Sequence, residues 1–323
     1  MKSATLTFGI IGTGSIVKTM LPVMRETEEI DCLAVYSRSA ERAAALAAAT
    51  GIKQTYTNLS QMLADPKLDW IYVASPNSLH YPQVKAALLA DKHVLCEKPF
   101  TLTAAELSEL TRLAKERKLW LVEAITSLFH PHFTLVKEQL SSIGRIRQVL
   151  GVFAQYSGRY DALLTGGTPN VFNPVFGGGA LMDLNVYNLY FTIGLFGAPQ
   201  GYRYLPGLHT NGVDTNGVLT LQYPDHIATC IACKDAPGDN SYQLIGEQGY
   251  IKISPSASNP ARVEICLRGR EPLVYETCDS PWRHEIHSFV NLIRQADEAA
   301  IEDRLATALS VVRVLEGARP YAG

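Results

Sequence analysis

The sequence predicts an α/β protein of two domains: a doubly wound parallel sheet over residues 1–124, then an α+β domain over 125–323 built on an open sheet. Three observations carry this. Short apolar runs alternate repeatedly with helical patterns before residue 124. A Gly-x-Gly turn joins the first run to the first helix. Beyond about residue 144 the texture changes to successive strand-like runs linked by short turns. A closed barrel of eight strand–helix units, the main competitor at 323 residues, would keep alternating to its end.

In order, residues 5–11 read as strand, 15–27 as helix, 30–36 as strand, and the Ala-rich stretch 40–50 as helix ended by Gly51. A helical turn at 59–63 precedes strand 70–74, helix 82–89, strand 93–96, helix 104–118 and strand 120–123. Short buried strands joined by helices indicate a parallel sheet covered on both faces. In the second domain 146–156, 218–223, 227–233, 242–245, 250–253 and 263–267 read as strands. Links such as Tyr223-Pro-Asp-His226 and Gly246-Glu-Gln-Gly249 are turn-like, so the sheet is antiparallel or mixed. Only 180–196 and 284–318 read as helical there.

Composition excludes several classes. The net charge is -2 with no basic block, which argues against a nucleic-acid surface. No apolar run approaches the roughly 20 residues a membrane span needs. Residues 1–6 carry one Lys and lead straight into a strand, so no signal peptide is expected and the cytoplasm is the expected compartment. The six cysteines are scattered. Cys230 and Cys233 form a CxxC, but on a strand residues three apart face opposite ways, which is poor geometry for joint ligation. The pairs His130/His132 and His284/His287 lack an acidic or Cys partner set. No metal is expected.

Gly12-Thr13-Gly14-Ser15-Ile16 follows a strand and opens a helix. The first glycine permits the tight turn, the second lets backbone approach a pyrophosphate, and the helix N-terminus offers N–H groups to the anion. The third fingerprint position is Val17, where Gly or Ala is usual. The second strand ends in Tyr36-Ser37-Arg38, without the acid that would hold a ribose 2′-hydroxyl. Ser37 and Arg38 suit a 2′-phosphate, which predicts NADP, with NAD as the alternative. Capping of the next helix by Ser37 or Ser39, with a solvated Arg38, is the plainer reading. Glu97-Lys98-Pro99 stands at the carboxyl end of a parallel strand, where ligands of such sheets sit. A lysine there can stabilise negative charge on a reacting oxygen.

Taken jointly, Gly9-Ile-Ile-Gly-Thr-Gly-Ser-Ile16, Ser75-Pro-Asn-Ser-Leu-His80, Lys92-His-Val-Leu-Cys-Glu-Lys-Pro99 and Gly177-Gly-Gly-Ala-Leu-Met-Asp-Leu-Asn-Val-Tyr187 resemble the glucose-fructose oxidoreductase / inositol dehydrogenase / rhizopine-catabolism family. Ile245-Gly-Glu-Gln-Gly-Tyr-Ile251 extends the resemblance into the second domain, so it spans essentially the whole chain. It implies an N-terminal Rossmann domain, a C-terminal domain on a large, mostly antiparallel sheet, and a substrate pocket between them. Lys98 then maps beside the reacting oxygen. Ser75, Pro76, Asn77, His80 and Glu97 map to the cofactor wall. Asp183 and Tyr187, four apart and so on one helical face, carry the rest of the site.

Tyr187, where many sugar dehydrogenases of the family have His, is similar to the dihydrodiol and xylose dehydrogenase branch. So is Glu123-Ala124 with Phe129 and Pro131. Leu128 and Asn185 depart from that branch's usual Arg and Gly. The plainer reading of Tyr187 is a core tyrosine. The expected activity is hydride transfer to or from a sugar, polyol or related diol, with Lys98, Tyr187 and Asp183 catalytic. Tyr156, Arg159, Asn170 and Asn173 are candidate substrate contacts. The alternative is a non-catalytic dinucleotide sensor of the same fold. An open sheet face suggests a homo-oligomer, and the resemblance implies a homodimer or homotetramer.

Overall fold

The computed structural model describes residues 5–320; residues 1–4, on which the reading of the N-terminus largely rests, and 321–323 lie outside them. The chain divides into two compact units. One runs up to Ala124 and includes Glu285–Ala306; the other comprises Ile125–His284 and the chain from Thr307.

The first unit alternates strand and helix: β1 (Leu6–Ile11), α1 (Ser15–Glu26), β2 (Ile30–Tyr36), α2 (Ala40–Thr50), β3 (Gln54–Tyr56), α3 (Leu59–Leu63), β4 (Trp70–Val73), α4 (His80–Leu89), β5 (His93–Glu97), α5 (Ala104–Arg117) and β6 (Leu121–Ala124). The strands form a six-stranded sheet in the order β3-β2-β1-β4-β5-β6, with every pairing parallel. β4 and β6 are buried along their whole length, as a sheet covered on both faces requires. The order reverses between β1 and β4, and in open α/β sheets ligands collect at the carboxyl ends beside such a reversal.

The second unit contains α6 (Thr126–Phe129), α7 (Pro131–Gln139), β7 (Ile146–Ala154), α8 (Tyr160–Leu164), α9 (Val186–Phe196), β8 (Gly201–Leu208), β9 (Asp214–Gln222), β10 (Ile227–Cys233), β11 (Ser241–Gly246), β12 (Gly249–Ser256), β13 (Asn259–Leu267) and β14 (Leu273–Glu276). Its eight-stranded sheet has the order β14-β13-β12-β11-β7-β10-β9-β8 and is antiparallel except between β7 and β10. Burial alternates along the strands. Val149, Phe153, Leu219, Leu221, Ala228, Cys230, Ala232, Tyr242 and Leu244 are buried, with Tyr242 meeting Phe191 of α9 at 4.8 Å between ring centroids. Leu150, Val152, Val218, Thr220 and Ile231, on the other face, stay partly exposed.

Three expectations are corrected. The helix read as 180–196 begins with a π-helical turn, Leu181–Asn185, before α9. The terminal helix read as 284–318 is broken into α10 (Pro281–Arg294) and α11 (Glu298–Ala318). Ala296 takes a positive φ of 48°, and Asp297 Oδ1 accepts from Ala300 N at 3.0 Å to start the second helix. The segment Glu285–Ala306, assigned from sequence to the second domain, belongs to the first unit. The reason is apolar: Phe289 is fully buried, edge-on to Trp70 at 5.1 Å and near Phe8 at 6.2 Å. No helix of the described residues is long and apolar enough to cross a membrane.

Candidate active site

Four strands of the first unit end in predicted site residues, and all four ends lie on one edge of the sheet. After β1, Gly12 has φ 119°, and a Cβ there would collide with the Ala74 carbonyl oxygen. Gly14 is the N-cap of α1 without a side-chain hydrogen bond, and a Cβ on it would meet nothing within 4 Å. Thr13 and Ile16 are half-buried and Ser15 is exposed. Val17 is fully buried, like Met20 and Leu21 on the same helix, so the core accommodates the larger residue.

After β2, Ser37 Oγ accepts from Ser39 N at 3.2 Å, and Ser39 Oγ caps α2 by accepting from Arg42 N at 3.2 Å. Capping therefore falls to Ser39. Arg38 is exposed. This edge suits a dinucleotide: an open glycine cradle at a helix start, then an exposed cation with no carboxylate at positions 36–38.

After β4, Ser75, Pro76 and Asn77 are half-buried, and Ser75 Oγ donates to Gln83 Oε1 at 2.7 Å. His80 is fully buried. Its Nδ1 lies 2.9 Å from the Pro99 carbonyl and its Nε2 2.9 Å from the Ser75 carbonyl. The ring braces the β4 loop against the turn after β5. Burial lowers the His80 pKa, with the two carbonyls opposing and the Lys98 charge reinforcing it.

Glu97 is buried and accepts from Tyr72 Oη at 2.6 Å. Burial and the Glu97 charge push the Tyr72 phenol well up, so it stays the donor. Beneath this pair lies Glu285, whose pKa burial and the neighbouring Glu97 and Glu123 charges raise strongly. Between Val94 and Thr101 only Lys98 is not buried. The fold thus hides each neighbour of that lysine and leaves Lys98 itself partly exposed.

The second unit repeats this pattern. From Gly177 to Ile193 every residue is buried except Asp183 and Tyr187. Tyr187 packs on Phe153, Ala180, Leu184 and Ala232. Its ring is therefore held by apolar contacts, as a core tyrosine would be, while its partial exposure sets it apart from Tyr190, which is fully buried. Asp183 stands in the π-helical turn, a distortion that recurs at functional sites. Asn185 turns inward and donates to the Cys230 carbonyl at 3.0 Å.

Sequence reasoning missed two residues here. Lys234 forms an ion pair with Asp183. Asp214 accepts from Leu181 N at 2.7 Å and from Tyr204 Oη at 2.6 Å, anchoring the start of the helix. Burial pushes the Asp214 carboxyl up to about 6, against the pull of those donors and of Lys234. The alternation of β10 was the available signal for Lys234: Ala228, Cys230 and Ala232 point inward, so the next inward position is 234.

Of the loop candidates, Tyr156, Arg159 and Asn170 are exposed, with Tyr156 Oη donating to Asp161 at 2.5 Å. Asn173 is spent on its own turn, accepting from Val175 N at 2.9 Å. Cys230 is buried with its thiol pushed up to about 12 by burial, while Cys233 sits on the opposite strand face. Among the described residues no group of three or more His, Cys, Asp or Glu could hold a metal ion.

Comparison with known proteins follows the same division of the chain. A family model described as "Oxidoreductase family, NAD-binding Rossmann fold" matches residues 6–124, and one for the "GFO/IDH/MocA C-terminal domain" matches residues 135–252. A scyllo-inositol 2-dehydrogenase (NADP(+)) of Bacillus subtilis is 35% identical over 98% of this chain and 97% of its own. A D-xylose 1-dehydrogenase (NADP(+)) of Haloferax volcanii is 27% identical over 96% of this chain and 95% of its own. Among solved structures, a 3-ketoreductase from Actinomadura kijaniata in complex with TDP-benzene and NADP superposes with a TM-score of 0.82 at 26% identity, covering 98% of each chain. The chain belongs to the GFO/IDH/MocA family of oxidoreductases.

Proposed function

We propose that the chain is an NADP-dependent dehydrogenase or reductase acting on a sugar, polyol or related diol, with Lys98 and Tyr187 at the reacting oxygen. One observation carries the reading: in each unit the fold buries a whole segment and leaves only Lys98, or only Asp183 and Tyr187, partly exposed. Those are the residues that the family resemblance maps onto the chemistry. The NADP(+) in the names of the inositol and xylose dehydrogenases supports the cofactor, as does the exposed Arg38 with no acid beside it. NADP, when bound, supplies the hydride acceptor at its nicotinamide C4.

The chain's own residues do the rest. Tyr187 takes the hydroxyl proton in oxidation and returns it in reduction. Lys98 holds the same oxygen, and its positive charge lowers the phenol's pKa. Asp183 fixes the orientation of the substrate's neighbouring hydroxyl or of the lysine. Ser37 and Arg38 take the 2′-phosphate.

The test is absorbance at the nicotinamide band with NADP and a panel of pentoses, hexoses, inositols and diols. Turnover by the wild-type chain, abolished in Lys98→Met with NADP binding kept, is expected; full activity of Lys98→Met overturns the reading. NADP binding without turnover of any panel member points to the sensor instead. The partly exposed sheet face that includes Leu150, Val152, Val218 and Ile231 is where a second copy docks in this reading. Sedimentation showing a monomer at assay concentration refutes that part.

A further inference from the structure

We propose that Lys234 is a positioning residue: it fixes the Asp183 carboxylate one helical turn ahead of Tyr187 and neutralises its charge. This rests on the functional reading above. Lys234 continues the inward row of β10, and its side chain is only 3% exposed. Its Nζ pairs with Asp183, whose side chain is 33% exposed. The same ammonium lies 5.2 Å from the centroid of the Phe172 ring.

The backbone is pinned on both sides of it. Lys234 N donates to the Thr215 carbonyl at 2.7 Å. The carboxylate of Asp235 takes Thr215 Oγ1 at 2.6 Å, Asn216 Nδ2 at 2.8 Å and Cys233 Sγ at 2.9 Å. Thr215 follows Asp214, which holds Leu181 N at the start of the same helix. A buried ammonium is costly unless paired, so the fold specifies the carboxylate it meets. Ala232, two residues earlier on the same inward row, packs against Tyr187. One strand face thus addresses both exposed positions of the helix. The ammonium settles the charge on Asp183, and the small Ala232 seats the Tyr187 ring.

Without Lys234 the negative charge of Asp183 loses its buried counter-ion, one turn from a phenol that must ionise to accept a proton. Such a charge disfavours the phenolate. In Lys234→Met the expected result is a loss of kcat of at least tenfold in the oxidation direction. The acidic limb of the oxidation pH profile, which reports ionisation of the Tyr187 phenol, moves up by about one unit, and the Kd for NADP stays unchanged because the dinucleotide edge belongs to the other unit. Lys234→Arg restores part of the rate and returns the limb towards its wild-type position.

Stability supplies a readout independent of turnover. Asp183→Asn removes the paired carboxylate from the buried ammonium and lowers Tm, and adding Lys234→Met to it recovers part of the loss. The assays use the full chain with scyllo-inositol and D-xylose as probes. If Lys98→Met is inactive while Lys234→Met keeps the wild-type kcat and pH profile, this inference alone is overturned. If the wild-type chain transfers no hydride, the functional reading falls and this inference falls with it. A double variant that melts no higher than Asp183→Asn overturns the pairing itself.

Discussion

Gly179 offers a sharp test of how the fold sets the helix that carries Asp183 and Tyr187. Its φ is 116°, and a Cβ added there would strike Asp214 Oδ1. An L-residue in this conformation costs about 1–2 kcal/mol. The collision adds more, because Asp214 has to move away from Leu181 N and Tyr204 Oη, bonds to an acid that are worth about 1.5–3 kcal/mol each when it is charged. Losing one of them brings Gly179→Ala to about 3–5 kcal/mol, a fall in Tm on the order of 10 °C for a unit of this size.

Gly212→Ala is the matched control. Gly212 has φ 86° but open space around its Cβ position, so it carries the backbone cost without the collision. Thermal unfolding of both variants, with kcat measured on whichever panel sugar turns over, separates the two contributions. Gly179→Ala should lose most of its kcat as well, since Asp214 fixes where the helix begins. Equal Tm values for the two variants would refute the argument that Asp214 and Gly179 are mutually fitted.

Three more outcomes are expected. Arg38→Ala should weaken NADP about 10- to 100-fold, the worth of one charge-assisted hydrogen bond, and leave NAD unchanged; calorimetric titration that finds equal effects on both discards the 2′-phosphate assignment. Phe289→Ala removes a fully buried ring from against Trp70 and Phe8 and should cost about 3–5 kcal/mol by urea unfolding; a cost under 1 kcal/mol denies that this segment completes the core of the first unit. Asp214 is raised from 3.8 to about 6, so its contribution to stability is complete below pH 4 and disappears as pH rises through 6. Relative to Asp214→Asn, the wild-type chain should lose about 2 kcal/mol between pH 4 and pH 7, and parallel stability curves for the two would contradict the raised carboxyl.

Much of the fold was legible in the sequence because central strands advertise themselves by burial. β4 is buried on every residue, and β10 alternates cleanly. The three strands the sequence did not announce, β3, β8 and β14, are all at sheet edges. β14 is exposed throughout and β3 nearly so, while β8 carries Pro206 and Gly207, which an edge tolerates and a centre does not. An edge strand needs little apolar character, so the pattern that finds strands fails there for a physical reason.

The site divided in the same way. Lys98, Asp183 and Tyr187 stand in local motifs and could be named from residue order. Lys234 and Asp214 act only through partners distant in sequence. His80 stood in a legible motif, yet its inward ring depends on the Ser75 and Pro99 carbonyls. The break at Ala296 was equally hidden, since alanine is otherwise the strongest helix former.

The return of Glu285–Ala306 to the first unit has a consequence for synthesis on the ribosome. The chain emerges from its N-terminus, so Phe8 and Trp70 are released long before the Phe289 ring that covers them. The whole stretch Ile125–His284 is made in between. The dinucleotide sheet therefore waits, with an aromatic surface facing water, while the helix that carries Asp183 and Tyr187 and most of the second sheet are produced. Completion of the first unit is in this way a late event in the life of the nascent chain, and a fragment stopping at Ala124 leaves the Phe8 and Trp70 rings without the Phe289 ring that packs on them.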